Sequence, residues 1–254
     1  MLGRFLASAL FAGILSGLIV TGLQQATTAP LILQAEQFEQ AAQAMAATPQ
    51  HDHSAESHTH VAAGGDAHAH GAEDGGWAPA NGLERLFFTA LANVITGVGF
   101  GFLLVACLAL WNGKASGRTG VLWGLAGFAV FTLAPSLGLA PELPATNAAA
   151  LTARQTWWIA TAAATAAGLW LLVFPRKLLA TAAGIVVLAL PHLVGAPQPP
   201  APSAVIPAEL AAHFTAASIT TSAVFWACLG WLAGTAYGRG VTAGDAARDR
   251  PYTA

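Results

Sequence analysis

Charge is what this chain has least of. Only 9% of its 254 residues are Asp, Glu, Lys or Arg, against about 25% in a soluble domain. Water is therefore not the main solvent for most of its surface. Ten basic and twelve acidic residues leave a formal net charge of −2, which excludes the basic face that nucleic-acid binding requires. Cysteine is nearly absent. Cys107 and Cys228 both fall inside apolar runs, which excludes a disulfide framework and reads them as small core hydrophobes. There is no Walker sequence, because Gly113-Lys114-Ala115 lacks the upstream glycine spacing and the Ser or Thr. The chain alone therefore does not hydrolyse nucleotide. No charged residue stands in the middle of an apolar run, so no carboxylate relay for protons crosses a bilayer here.

What is abundant is apolar sequence, at 55% of the chain. Six stretches run about Phe5–Leu23, Leu86–Leu110, Val121–Leu139, Thr156–Phe174, Leu178–Val194 and His213–Tyr237. A helix needs roughly 20 such residues to cross a hydrocarbon core of about 30 Å. The fifth stretch is the shortest and carries Pro191. The expected fold is an all-α, polytopic membrane helical bundle of about six transmembrane helices with a disordered His-rich outer loop. It divides into an N-terminal transmembrane anchor (1–30), an outer amphipathic helix with a metal-collecting loop (31–82), a five-helix transmembrane core (83–238) and a cytoplasmic tail (239–254). The first run is long and no small-x-small cleavage site follows it, so it reads as a retained anchor.

The basic residues orient the bundle. Six spans with a cytoplasmic N-terminus put Arg4, Lys114, Arg118, Arg176, Lys177, Arg239, Arg248 and Arg250 inside, and Arg85 and Arg154 outside. That is a strong positive-inside bias, and it turns the histidine-rich loop to the outside, the periplasm if the host is a diderm bacterium. Trp157 and Trp158 then open the fourth span at the outer interface, with Trp111 and Trp170 near inner ends. Gly13 and Gly17, Gly97 and Gly101, Gly120 and Gly124, and Gly234 and Gly238 are each four apart, a spacing that lets backbones approach. Asn93, Thr96, Ser218, Thr220, Thr221 and Ser222 are polar groups within spans, suited to bridging helices.

Between the first two spans, Leu31, Ala35, Phe38, Ala42 and Met45 form a helical stripe. Pro30 separates it from the first span, and a surface helix is expected. The segment from Thr48 to Asn81 is poor in large apolar residues until Trp77. It cannot bury enough surface to offset its conformational entropy, so disorder without a ligand is expected. The prolines from Pro197 to Pro207 predict a stiff, extended strap.

That polar segment carries three His-x-His pairs: His51/His53, His58/His60 and His68/His70. Alternation along an extended chain puts both rings of a pair on one side. Two pairs, or a pair with Asp52, Glu56 or Asp66, supply four nitrogen and oxygen ligands. Imidazole suits Zn, Cu, Fe and Ni, and cobalt(II) belongs to the same divalent series. The lack of thiolates argues against copper(I) or an iron–sulfur centre. A flexible loop imposes no geometry, so it reads as a collector rather than a filter. Its affinity should fall below about pH 6.5, where free imidazole protonates.

A second constellation gathers at the same side. His192 follows Pro191, which cannot donate to the carbonyl of Val187. Glu209 and His213 stand one turn apart, Glu142 lies between Pro141 and Pro144, and Arg154 begins the fourth span. Together they could ring a vestibule where a cation sheds water. Their plainer roles are helix-terminus complement for Glu209 and interfacial anchor for Arg154.

Several segments resemble one family. They are Thr28-Ala29-Pro30-Leu31-Ile32-Leu33 with Glu36, Leu137-Gly138-Leu139-Ala140-Pro141-Glu142-Leu143-Pro144, Arg154-Gln155-Thr156-Trp157-Trp158, and Leu190-Pro191-His192-Leu193-Val194-Gly195-Ala196-Pro197. With the histidine-rich loop between them, they are similar to the CbtA family, a subunit of predicted bacterial cobalt transporters. The resemblance implies a polytopic inner-membrane component of cobalt uptake. It also implies a small single-helix partner, the CbtB subunit, with histidines of its own, and a genomic link to cobalamin synthesis. The family is described with five spans, against the six counted here.

The expected function is therefore cobalt(II) import, with nickel(II) as second candidate. The loop histidines capture the ion, and Glu142, His192, Glu209 and His213 pass it into the bundle. The rival from the binding class is a membrane-anchored buffer or sensor that moves nothing. A membrane metalloenzyme is the third reading, and no compact metal triad with a general base supports it. No permanently bound cofactor is expected, and the partners are lipid, metal ion and the small subunit.

Overall fold

The computed structural model describes residues 2–47, 79–111, 113–199, 201 and 205–248, and every regular element among them is helical. Helix α1 (Leu2–Ala26) is followed after Thr27 alone by α2 (Thr28–Ala47). Next come α3 (Leu83–Leu110) and α4 (Gly117–Phe128). Helix α4 runs through a π-helical turn (Ala129–Leu133) into the short α5 (Ala134–Ser136). The chain ends with α6 (Leu151–Val173), α7 (Leu178–Val194) and α8 (Ala208–Arg248). All six loop histidines fall outside the described residues, as does the disorder expected around them.

Among the described residues five helices are long and apolar enough to cross a membrane: Leu2–Ala26, Leu83–Leu110, Gly117–Ser136, Leu151–Val173 and Ala208–Gly240. The protein is thus a multi-pass, all-helical membrane protein. The 17-residue α7 is apolar but shorter, about 25 Å at 1.5 Å per residue. Its contacts give its direction. The Trp157 indole, early in α6, donates to the Pro191 carbonyl, late in α7, at 3.3 Å. Deeper in the pair, a Cβ added to Gly168 would sit 3.0 Å from the Gly184 carbonyl oxygen. The two helices are therefore antiparallel, and α7 returns the chain to the end of the bundle where α8 starts. The described residues pass the bundle six times, five times on long helices and once on the shorter α7.

Small residues set how closely the other helices pack. Lipid tails are as apolar as leucine, so association rests on close contact rather than on expelling water. Along α1, Ala9, Ala12, Gly13, Ser16, Gly17 and Val20 form the buried face. A Cβ on Gly17 would lie 2.7 Å from the Val94 Cα, and one on Gly101 would lie 2.7 Å from the Ala9 carbonyl oxygen. Helices α4 and α8 cross with similarly close backbones. A Cβ on Gly234 would be 2.8 Å from the Gly120 Cα, and one on Gly124 would be 3.2 Å from the Gly230 Cα. Three of the four glycine pairs read from spacing thus serve close packing, and the fourth does so through Gly234 and Gly238, which meet the start of α4. Ser116 caps α4: its hydroxyl accepts from the Thr119 N–H at 3.3 Å, while the Thr119 hydroxyl accepts from the Ser116 N–H at 2.9 Å.

An aromatic layer fills the middle. Trp226, 3% exposed, stacks on Phe131 with centroids 5.8 Å apart and planes 6° from parallel. It meets Phe100 at 4.6 Å, and its indole donates to the Thr132 hydroxyl at 3.3 Å. Phe131 also reaches Trp158 of α6 at 6.3 Å. Phe131 and Thr132 both lie in the π turn, where the Ala134 N–H donates to the Ala129 carbonyl, one residue beyond the α pattern. The buried Pro135 follows, and it has no N–H to continue the ladder.

The contacts also sort the ends. Arg4 lies beside Gly240, so the start of α1 and the far part of α8 share one end with the α3–α4 and α6–α7 connections. That basic end carries Arg4, Lys114, Arg118, Arg176, Lys177 and Arg239. The opposite, carboxylate end holds Glu36, Glu84, Glu142 and Glu209, with Arg85 and Arg154. Pro30 does not separate α2 from α1 as expected. It sits in the first turn of α2, where a missing N–H breaks no helical bond. Only the first half of the expected stripe packs. Ala35 is fully buried in a small cluster with Leu143, Ile206, Leu210 and Phe214, while Met45 is 73% exposed. Helix α8 continues past Tyr237, where the sixth span was expected to stop, to Arg248.

Candidate functional site

The residues singled out at the carboxylate end are placed one by one. Glu142, in the turn-rich connection after α5, pairs with Arg154 of α6 at 3.1 Å. Each side chain is one-third exposed, and the Arg154 Nε is buried without a hydrogen-bond partner. His192 is exposed near the end of α7, its ring edge-on to Trp157 with centroids 6.1 Å apart. The carbonyl engaged there is that of Pro191, which accepts from both Trp157 and the Gly195 N–H. Glu209 is in the first turn of α8 and His213 one turn on, both exposed. These residues share an end of the bundle but do not converge. Among the described residues no three His, Cys, Asp or Glu side chains lie close enough to hold an ion together. The expected vestibule is a scattered rim, because α6–α7 and α8 present the residues on separate exposed faces.

The structure brings together a different set. Asn81 and Arg85 at the start of α3 meet Glu36 of α2, and the Arg85 guanidinium donates to both Glu36 carboxylate oxygens and to the Asn81 side-chain oxygen, the last at 2.8 Å. Glu84, in the same turn, accepts from the Ala80 N–H at 3.3 Å. Asn93, just over two turns beyond Arg85, donates to the Thr21 hydroxyl at 2.9 Å and to the Gln24 side-chain oxygen at 2.7 Å. Thr27 and Thr221 hydroxyls meet at 3.3 Å. So Asn93 bridges α3 to α1, and Thr221 ties α8 to the Thr27 link between α1 and α2.

Under this network lies a cavity of about 410 Å³, enclosed by the α1–α2 junction, the start of α3 and one face of α8. Its polar lining comes from Gln24, Gln25, Thr28, Asn81, Thr89, Ser218, Thr221 and Ser222, and its one charged lining residue is Arg85. A second recess of about 500 Å³ is lined by Glu36, Pro79, Phe88 and Ala92, and it shares Asn81, Arg85 and Thr89 with the first. Arg85 thus stands in a wall common to both. Pro79 is also where the described chain resumes after the stretch bearing the histidine pairs. Sequence reasoning had Glu36 as part of a motif and Arg85 as an orientation marker. Their pairing across 49 positions had no local signal, since nothing in either neighbourhood names the other.

No curated protein and no solved structure matches the chain. One family model does match, over residues 2–238, nearly the full length. Its description is probable cobalt transporter subunit, and its span covers the helical passes, the glycine-packed crossings and the polar chamber alike. The chain belongs to the CbtA family of probable cobalt transporter subunits.

Proposed function

We propose that this protein is the membrane component that carries cobalt(II) into the cell, with nickel(II) as the alternative ion. The family match along residues 2–238 carries the reading. It is supported by a multi-pass bundle and by the position of the histidine pairs in the sequence, between the end of α2 and Pro79. The basic end faces the cytoplasm of a bacterial inner membrane by the positive-inside rule, so the N-terminus is cytoplasmic and the histidine segment external. His51, His53, His58, His60, His68 and His70 raise the local ion concentration. Glu142, His192, Glu209 and His213 contact the ion singly along the rim, because each offers its own separate ligand atoms. Inward movement of two charges is favoured by roughly 4.6 kcal/mol at 100 mV, so no nucleotide hydrolysis is required. A small single-helix CbtB-like subunit completes the transporter.

The test is labelled-cobalt flux into proteoliposomes, with and without the small subunit. Flux down an imposed potential is expected. Saturable binding with no flux would leave the buffer-or-sensor reading in its place. Deleting 50–71 should raise the half-saturating cobalt concentration and leave maximal flux unchanged, whereas replacing His192 and His213 together should lower maximal flux. Equal loss from both changes would overturn this division of roles.

A further inference from the structure

Helices α6 and α7 stand apart from the rest of the bundle. Helices α1, α3, α4 and α8 pack into one core, with glycines bringing their backbones together. The α6–α7 pair is also close-packed, Gly168 against Gly184, and Arg176 at φ 46° makes the tight turn between the two helices. Among the described residues, α6 packs outside the pair chiefly on the π turn and α5, and α7 has no comparable partner besides α6. The ties that hold the pair lie toward the carboxylate end. Trp158 meets Phe131 of the π turn. Gly138, just past α5, lies against the Trp157 ring and Ala196. The Thr215 hydroxyl of α8 donates to the Pro141 carbonyl at 3.1 Å. Leu143 and Ile206, one from each outer connection, share a buried cluster with Leu210 and Phe214. Toward the basic end the picture reverses. Leu122 and Leu125 of α4 are exposed there, as are Ala163, Ala167, Trp170 and Val173 of α6. Arg176 and Lys177, at the tip of the pair, are exposed, and no ion pair among the described residues holds them.

We propose that α6–α7 is a hinged arm. It pivots on the π turn at the carboxylate end and swings toward and away from α4 at the basic end, so that the bundle opens and closes on that side. The proposal deepens the import reading and rests on it for what the opening serves, which is release of the cation to the cytoplasm. Core and arm are each close-packed within themselves, so they move as bodies rather than deforming. Ties confined to one end fix the axis. The backbone at the pivot suits a bend. The Ala134 N–H reaches back to the Ala129 carbonyl, and Pro135 has no N–H to offer next, and helices bend at π turns and at proline. At the free end only lipid tails separate the arm from the core. Replacing them by the small surface of Ala163 and Ala167 exchanges one apolar contact for another. Neither position is then strongly favoured, and a ligand can select between two such positions.

The experiment measures distances, and then flux. In the full chain with Cys107→Ala and Cys228→Ala, nitroxide spin labels are attached in pairs at exposed positions and read by dipolar spectroscopy in lipid nanodiscs. Leu122→Cys with Val173→Cys spans the free end of the arm. Ile159→Cys with Val224→Cys spans the pivot, and Leu103→Cys with Leu122→Cys lies within the core. The first pair should give a broad or double-peaked distance distribution, and the other two a single narrow peak each. A distribution for Leu122 and Val173 as narrow as the others would overturn the arm. Bridging Leu122→Cys to Val173→Cys with a short, cleavable bifunctional thiol reagent should stop labelled-cobalt flux into proteoliposomes, and cleavage should restore it. Failure to bridge would show that the two sites never meet and would overturn the swing. Parental flux in the bridged protein, or flux still lost after cleavage, would overturn the gating role. The distance measurement needs no transport. Absence of cobalt flux in the parent protein would therefore count against the import reading, while a narrow distance between Leu122 and Val173 in a transporting parent would count against the arm alone.

Discussion

Helices α4 and α8 meet backbone to backbone, whereas α2 lies over a chamber and is tied down by one ion pair and a handful of apolar side chains. At the first contact, glycine sits against glycine and no atom can shift without opening a void or a clash. At the second, polar and apolar side chains together line about 410 Å³ of space. One region is therefore a frame and the other a cover. The first is built because lipid rewards close contact between helices.

The contrast can be broken most directly in the aromatic layer. Trp226→Ala removes a side chain that Phe131, Phe100 and Thr132 all engage. It should cost about 3–5 kcal/mol, read as loss of thermal stability of the purified protein in detergent. A loss under about 1 kcal/mol would show that this layer is not part of the frame. Next is Gly120→Ala, whose added carbon would run into the Gly230 carbonyl. About 1–3 kcal/mol of destabilisation is expected, while Gly99→Ala, where a Cβ meets nothing, should be neutral or gain about 0.5–1 kcal/mol. If the two behave alike, close packing is not what holds α4 to α8.

The cover region is sharpened by pH. Neutral imidazole binds the ion and protonated imidazole does not, so capture is strong above about pH 6.5 and fades below it. At pH 5.5 the half-saturating cobalt concentration should rise about tenfold in the intact chain. It should rise much less when 50–71 is deleted. An equal rise in both would move the pH-sensitive ligand away from the histidine pairs. The smallest effect is expected at the rim. Glu142 and Arg154 are each one-third exposed, so Glu142→Gln should change stability by no more than about 1 kcal/mol. A larger change would mean that this pair belongs to the frame.

Much of the frame was legible before the structure. Scarce charge, six apolar runs and basic residues at alternate connections describe a membrane bundle, because the bilayer imposes its length and its charge rules on every span separately. The glycine spacings at 13/17, 97/101 and 120/124 pointed to close contact, but not to the partner helix. Gly230, which sits opposite Gly120, stands four before Gly234, a spacing the reading of 234/238 passed over. The π turn was illegible. Its sequence, Ala129-Val130-Phe131-Thr132-Leu133, reads as ordinary apolar helix, and only the packing of Phe131 and Thr132 on Trp226 gives the extra residue a use.

How the rim residues stand to one another was not legible in the sequence, for a physical reason. His192, His213, Glu142 and Glu209 were grouped because they occupy one side of the membrane, and sidedness follows from chain order. Convergence does not, since it depends on which helix faces turn toward one another. The sequence by itself determined the solvent, the passes, the orientation signal and the presence of an imidazole-rich segment, all properties that one stretch of chain carries alone. The tertiary structure alone decided that Glu36 meets Arg85 and that Asn93 meets Gln24. It also decided that a polar chamber opens beneath α2, since each of these needs two or more helices to set their rotation and crossing together.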